Sequence, residues 1–493
     1  MKQTKTLTLL SLLAALPLFG CAKGGNQGDP HTIQIFAWDS GLGTEWLKEI
    51  VTDFNDSQTE YRAVLETNNS VSTITKTLGL GATGNPYDLY FCYLGSFEHY
   101  DDFLSLDDVY DSKADEKENM TIKEKLYDGF YDAAEDEEGN HKFMYYGNSA
   151  TGIVYNRSMI KDEEVPVTTD ELEALVTNLS AEGKTPWLFF NEPSGGSNGY
   201  WNYVSDAWAT QYDGLNYHYN KLMMLEDDDG VSPSKAAFEK KDGRYQALKV
   251  MEKVLTPSTV HKQCTNTNFT TVQTLFLNGE AAMSINGAWL LNENKSSADV
   301  SMMKTPVISS IVETLEDKDM DDETLAKIVR EVDEGKTESS LCSAKDFARI
   351  QEARGVIVNN AAEQYIFAPS YSNAIEGTKA FLRFYSRDEE ILRYINTLHL
   401  PATSHLTDDS KIDMSSYPVW NQQAFAIANA GEPVLLPVRR SPVFRQYSMN
   451  IMNNVVTSQS FIASNPKDRR NADQVWDTFI TSVEEHWKDW TEQ

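Results

Sequence analysis

Cysteine is scarce in this chain. Four thiols, Cys21, Cys92, Cys264 and Cys342, are spread over 493 residues, and their spacing builds neither a metal site nor a disulfide framework. Cys21 falls in a leader-like segment, which leaves an odd three, so no bridge is expected. Basic residues are also short: 43 Lys and Arg face 74 Asp and Glu, a net charge of -31. That balance argues against nucleic acid as a partner, because phosphate binding needs a basic face. It favours a neutral ligand over a polyanion. Arg439, Arg440 and Arg445 come nearest to a basic cluster, and they read as partners of an acidic surface. HExxH, CxxC, P-loop and G-x-S-x-G are all missing, and the eight histidines are scattered. No catalytic residue, metal site or cofactor is expected, so the chain reads as a binder rather than an enzyme. After residue 21 no apolar run has the length to span a bilayer.

What is present begins with size. A chain of 493 residues is long for one compact unit, and two lobes are the natural expectation. The 10 Trp and 23 Tyr exceed the needs of a core, and such an excess is often used at ligand surfaces. At the amino terminus, Lys2 and Lys5 precede an apolar run from Leu7 to Phe19, too short for a comfortable membrane span. Residues 1–20 therefore read as a signal peptide. Leu18-Phe19-Gly20-Cys21 resembles the bacterial lipobox, which implies acylation of Cys21, and several acyl chains anchor firmly at about 0.8 kcal/mol per buried CH₂. Residues 21–30 then form a Gly- and Asn-rich tether.

From His31 the pattern alternates strands and helices. His31 to Trp38 alternates and is β-rich. Thr44 caps a helix from Glu45 to about Phe54, with Trp46, Ile50, Val51 and Phe54 on one face. Tyr61 to Glu66, Ser72 to Leu80 and Asp88 to Cys92 continue a βαβαβ run, so a parallel sheet is expected. Ligand groups then belong at the strand carboxyl ends, at Trp38-Asp39 and Tyr93 to Ser96. Gly79-x-Gly81-x-x-Gly84 has the letters of a dinucleotide fingerprint but follows a helix and precedes a strand, so it reads as a helix end and loop. Residues 135–140 read as a turn whose second arm ends at Tyr145-Tyr146.

Phe276-x-x-Gly279-x-Ala281-Ala282-Met283-x-x-x-Gly287-x-Trp289 reads as a helix end, a turn at Gly279, a short strand and a second turn at Gly287. By composition alone Trp289 is a core tryptophan. By its place just past a strand end it is a ligand group. The pattern resembles the signature of carbohydrate-type extracellular solute-binding proteins, the receptors of ABC importers, in which this tryptophan lines the sugar cleft. Gly152-x-x-Tyr155-Asn156 and Ala380-Phe381-Leu382-x-Phe384 with the later Leu400-Pro401-Ala402 support that resemblance. Pro166-x-Thr168-Thr169-x-Glu171-Leu172 also fits, with Thr169 where the family has tryptophan. Together these matches cover most of residues 31–402.

The resemblance implies a two-lobed α/β fold with hinge-crossing strands, like periplasmic binding proteins. Lobe 1 would hold 31–147 plus about 352–395, and lobe 2 would hold 148–308 plus about 396–493. A charged helical insertion would fill about 309–351, with Leu325, Ile328, Val329 and Val332 on one face. The expected ligand is a carbohydrate, with Trp38, Tyr93, Tyr146, Trp201 and Trp289 as apolar surfaces and Asp39, Ser96, Asn148 and Asn286 as polar partners. A Gly-rich segment at 194–199 would let Tyr200 and Trp201 reach the cleft. Expected partners are importer membrane subunits and, through Cys21, the membrane, with the protein a monomer on the extracytoplasmic face. Rival readings are a sensory receptor, a peptide or polyamine receptor, and a secreted glycosidase. The last rests on Asn191-Glu192-Pro193 after a strand. It would need a second carboxylate about 5–5.5 Å from Glu192 and eight β/α units, which the chain does not display.

Overall fold

The computed structural model describes residues 28–39, 41–94, 99–136, 138–191, 199–217, 235–265, 267–358, 364–429, 433–434 and 460–491. Cys21, Ser96, Glu192, Arg439, Arg440 and Arg445 lie outside them, as does most of the Gly-rich segment. The strands are β1 Thr32–Trp38, β2 Arg62–Asn68, β3 Leu89–Tyr93, β4 Met144–Tyr145, β5 Thr151–Asn156, β6 Met283–Gly287, β7 Val300–Met302, β8 Ile357–Val358, β9 Gln364–Phe367 and β10 Pro433–Val434. The helices that bear on the site are α1 Glu45–Ser57, α2 Val71–Gly79, α3 Thr169–Ala181, α4 Trp201–Asp213, α5 Gly243–Val254, α6 Phe269–Leu277, α7 Leu290–Asn294, α8 Asp322–Asp333, α9 Ala344–Gly355, α10 Ile375–Tyr385, α11 Asp388–Leu398, α12 Val419–Asn429 and α13 Ala472–Thr491.

Lobe 1 is a five-stranded sheet of order β2-β1-β3-β9-β4. The βαβαβ opening makes β1 parallel to β2 and β3, while β9 runs antiparallel to β3 and β4. Strand side chains alternate between faces, and here both faces are covered. Ile33, Ile35, Phe91 and Ile366 pack under α1, whose Trp46, Ile50 and Phe54 are buried as their spacing predicts. Phe36, Tyr90, Tyr365 and Phe367 pack on the other face. Gly81, just past α2, is left-handed at φ 57 within a helix-to-loop turn, as expected of a helix end.

Lobe 2 is built on the antiparallel sheet β6-β5-β7. Around it α3, α4, α5, α6 and α13 form one apolar core with Trp187, Trp208 and Trp476. Thr168 caps α3, its hydroxyl accepting from the Glu171 amide. Pro186 to Phe190 is extended but paired only through bridges from Trp187 to Val260 and Met283. The expected hairpin at 135–147 is shorter than its sequence pattern. Phe130–Ala134 is helical, and pairing is limited to a Glu135–His141 bridge before β4.

The insertion is no loose appendage. Leu325, Ile328 and Val329 of α8 and Phe347 and Ile350 of α9 are buried in the lobe-2 core. The sequence places about 396–493 in lobe 2, but Leu400, Ala402, Leu406 and Tyr417 pack in the lobe-1 core, and helix α12 is apolar on two sides and joins the lobes. Trp420 and Ile427 enter the lobe-2 core, while Ala424 and Phe425 enter the lobe-1 core.

The chain crosses between lobes after β4, after β8 and again along α12. Hydrogen bonds brace the first crossing on both sides. The Asn148 Nδ2 donates to the Ala402 carbonyl at 2.9 Å, the Thr403 hydroxyl to the Tyr145 carbonyl at 3.0 Å, and the Thr151 hydroxyl to the Val358 carbonyl. No helix among the described residues is long and apolar enough to cross a membrane.

Candidate ligand cleft

A cavity of about 1220 Å³ opens between the two lobes. Lobe 1 supplies Asp39, residues 41–45 and Asn69, at the carboxyl ends of the parallel strands β1 and β2. Lobe 2 supplies Arg157, α7 from Leu291, and residues 295–300. His399 and Trp420 close it from the joining segment. The position obeys the rule that open α/β sheets bind ligands beyond their strand carboxyl ends.

Its chemistry is polar. Asp39 accepts from the Thr44 hydroxyl at 3.3 Å, so Thr44 spends its side chain on the loop rather than on capping α1. Asn292 donates to the Leu398 carbonyl at 2.8 Å, and Trp420 Nε1 donates to the Ala288 carbonyl at 3.1 Å. Both bonds hold α7 against the joining segment. Arg157 is engaged by Asp162 at 2.8 Å and Asp299 at 3.1 Å. Its guanidinium holds the Asp162 carboxyl below the usual range and is itself stabilised as a cation by that pair. A cation already paired with two carboxylates is a poor receptor for an anionic ligand. Glu293 is pushed upward by burial, against a hydrogen bond from Gln273 that lowers it.

The aromatic residues divide into two sets. On lobe 1, Trp38 and Tyr93 lie side by side at 5.9 Å between ring centroids, both half-buried at strand ends. Trp38 Nε1 donates to the Asn69 carbonyl at 3.2 Å, which sets that indole beside the cavity lining. On lobe 2, Gly287 ends β6 and the Trp289 ring folds back onto it. A Cβ at Gly287 would lie 2.1 Å from the indole, so only glycine allows this close approach. Trp289 is 8% exposed, packed with lobe-1 core residues and edge-on to Tyr200 at 6.3 Å.

Other expected site residues are placed away from solvent. Trp201 does not reach the cleft: it is 0% exposed, packed in the lobe-2 core against Trp187 at 4.9 Å. As the first residue of α4 it faces the sheet, and burial of so large an apolar surface decides its direction. Tyr146 is buried in the lobe-1 core, 5.7 Å from the Trp46 ring, and desolvation raises its phenol well above the ordinary value. Asn148 braces the hinge, as above. Asn286 is buried, and its side-chain oxygen accepts from the Gly287 amide at 2.9 Å, fixing the turn under Trp289. Asn69, Asn292, His399 and Trp420 line the cavity without having been singled out. Asn69 was within reach of the strand-end reasoning that found Asp39, since it follows β2 as Asp39 follows β1. The other three depend on how distant segments meet.

A family model for bacterial extracellular solute-binding proteins matches residues 49–418. No curated protein sequence matches the chain. Solved structures do. The bacterial solute receptor AcbH, described by an exclusive preference for β-D-galactopyranose, aligns at 13% identity and TM-score 0.58 over 92% of this chain and 98% of that one. RafE from Streptococcus pneumoniae in its apo form aligns at 17% and 0.59 over 92% and 98%. The GacH receptor of Streptomyces glaucescens, solved unliganded and with acarbose, aligns at 13% and 0.59 over 93% and 99%. At such identities the likeness establishes the two-lobed fold. Because the matched span runs through both lobes and the crossing strands between them, the chain belongs to the bacterial extracellular solute-binding proteins.

Proposed function

We propose that this protein captures a carbohydrate, an oligosaccharide, between its lobes and hands it unchanged to an ABC importer. It would do so while tethered to the extracytoplasmic face of the cell membrane through acylated Cys21. The observation that carries the reading is the placing of half-buried ring surface beside a polar cavity at one strand-end edge. Trp38 and Tyr93 offer apolar faces for a pyranose. Asp39, Asn69 and Asn292 offer hydroxyl partners beside them. The cavity volume suits a ligand of several sugar units. RafE, solved in complex with raffinose, shares the fold and gives the carbohydrate class its support. Delivery would follow from closure of the lobes around the ligand, a hinge motion about the crossing strands.

The test is calorimetry on the full-length protein in a detergent without a sugar headgroup. Raffinose, xylo-oligosaccharides, malto-oligosaccharides, a peptide mixture and spermidine would be titrated, and reducing ends assayed afterwards. Saturable heat from one oligosaccharide with no new reducing ends is expected. Heat only from spermidine or peptides, or release of reducing ends, would overturn the reading.

A further inference from the structure

We propose that lobe 2 carries a second binding site, a groove just before α13 that takes the phosphate group of a small phosphate ester. It shares no lining residue with the inter-lobe cavity, so it works whether or not that cavity takes a carbohydrate. The groove holds about 330 Å³, at the lower end of the roughly 300–1,000 Å³ usual for small-molecule sites. Arg469 and Arg470 are its cations, and Leu255 and Phe461, both buried, give it an apolar part. In so acidic a chain these two arginines stand out. Every other described arginine except Arg62, exposed on the edge strand β2, has a carboxylate at 3.7 Å or less. Arg469 and Arg470 bond only to neutral oxygens among the described residues.

The hydrogen-bonding capacity of the lining settles the sign of the ligand. Arg469 spends Nε and Nη2 on the Ala463 carbonyl, 3.3 Å each, and Arg470 spends Nη1 on the Thr478 hydroxyl at 3.4 Å. That leaves Nη1 of Arg469 and the Nε–Nη2 edge of Arg470, the edge that grips an oxyanion with two parallel bonds. The side-chain oxygens of Asn471 and Gln474 each accept from the other's amide, at 2.9 and 3.0 Å, so what they have left is their NH₂ groups, which donate. The Thr256 hydroxyl is held by Ser258 and Thr259. Glu252, the one carboxylate of the lining among the described residues, is paired with Lys249 at 3.0 Å. The unspent groups are therefore donors, two of them cationic, and they call for a ligand that accepts and is anionic. A carboxylate has two oxygens, which a single guanidinium can occupy; a phosphate has enough for both. The volume beyond the phosphate, beside Leu255 and Phe461, fits a short organic group such as glycerol.

Calorimetry on the full-length protein in detergent tests this, with glycerol 3-phosphate titrated in a phosphate-free buffer at constant ionic strength. The parent should give saturable heat with a Kd of about 1 mM or below. Arg469→Gln with Arg470→Gln should weaken binding at least about tenfold. Lys113→Gln with Lys117→Gln removes the same charge from exposed lobe-1 positions and should stay within about twofold of the parent. No saturation in the parent, parental affinity in the arginine variant, or an equal loss in the lysine variant would each overturn the proposal. If the arginine variant melts lower than the parent, Arg470→Lys alone is read in its place. It keeps the charge without the fork and should lose about threefold or more; parental affinity there overturns the site. A final comparison identifies the source of the phosphate. Loss of the glycerol 3-phosphate heat in micelles doped with phosphatidylglycerol, but not with phosphatidylcholine, makes the occupant a lipid headgroup. Unchanged heat in both makes it a soluble phosphate ester.

Discussion

The two lobes treat their aromatic residues differently. In lobe 1, Trp38 and Tyr93 sit at the carboxyl ends of parallel strands and stay half-buried. In lobe 2, Trp201 is buried outright and Trp289 nearly so, pressed on Gly287. A parallel sheet points strand ends, and hence the residues after them, outward at one edge. In lobe 2, α7 begins within three residues of the end of β6 and α4 packs in the same lobe's core, so the tryptophans at the starts of these helices are taken up as packing. Closeness to a strand end is therefore a good guide to exposure in lobe 1 and a poor one in lobe 2.

That contrast can be broken in four ways. Trp201→Ala should cost the most, about 3–5 kcal/mol of stability by opening a cavity in the lobe-2 core. Chemical denaturation checks it, and a loss below about 1 kcal/mol would return Trp201 to the surface.

Acidity comes next. Burial pushes the Asp206 and Asp213 carboxyls of α4 up to about 7, and Asp213 lies close to the Asp242 carboxylate. The folded state then holds protons that the unfolded chain releases between about pH 4 and 7. Stability falls as pH rises through that window and is level above it. The melting point should be about 3 °C higher at pH 5 than at pH 8. Asp213→Asn should flatten this slope, and an equal slope in that variant would contradict the assignment.

Gly287→Ala should cost about 1–3 kcal/mol, because the new methyl overlaps the Trp289 ring. The displaced indole should also change the tryptophan fluorescence maximum. Trp38→Ala is the smallest in stability, within about 0.5 kcal/mol for a half-exposed residue. It should still weaken carbohydrate binding by about tenfold. A stability loss without a binding loss would erase the difference between the lobes.

Much of the fold was legible because its signals are local. The βαβαβ opening, the Thr168 cap and the turn at Gly279, left-handed at φ 83, follow from periodicity and residue chemistry. Gly287 was legible as a point of close approach. The role of Asn148 was not, since its partner is a carbonyl 254 positions away. Nor was the division of α12 between two cores, because its sequence is apolar on both sides without saying against what. Tyr200 and Trp201 could not be told apart by residue type, as both are large amphipathic aromatics. The left-handed turn that separates them depends on packing of Gly199 against Phe190.

The central claim is capture of a carbohydrate against an aromatic surface, and removing the lobe-1 rings together, Trp38→Ala with Tyr93→Ala, tests it most directly. Calorimetric titration of parent and variant with the best-binding oligosaccharide, on samples shown to be folded by circular dichroism, is the decisive measurement. A loss of at least about tenfold in affinity, with no reducing ends formed by the parent, is the predicted result. Parental affinity in the folded double variant would contradict the account.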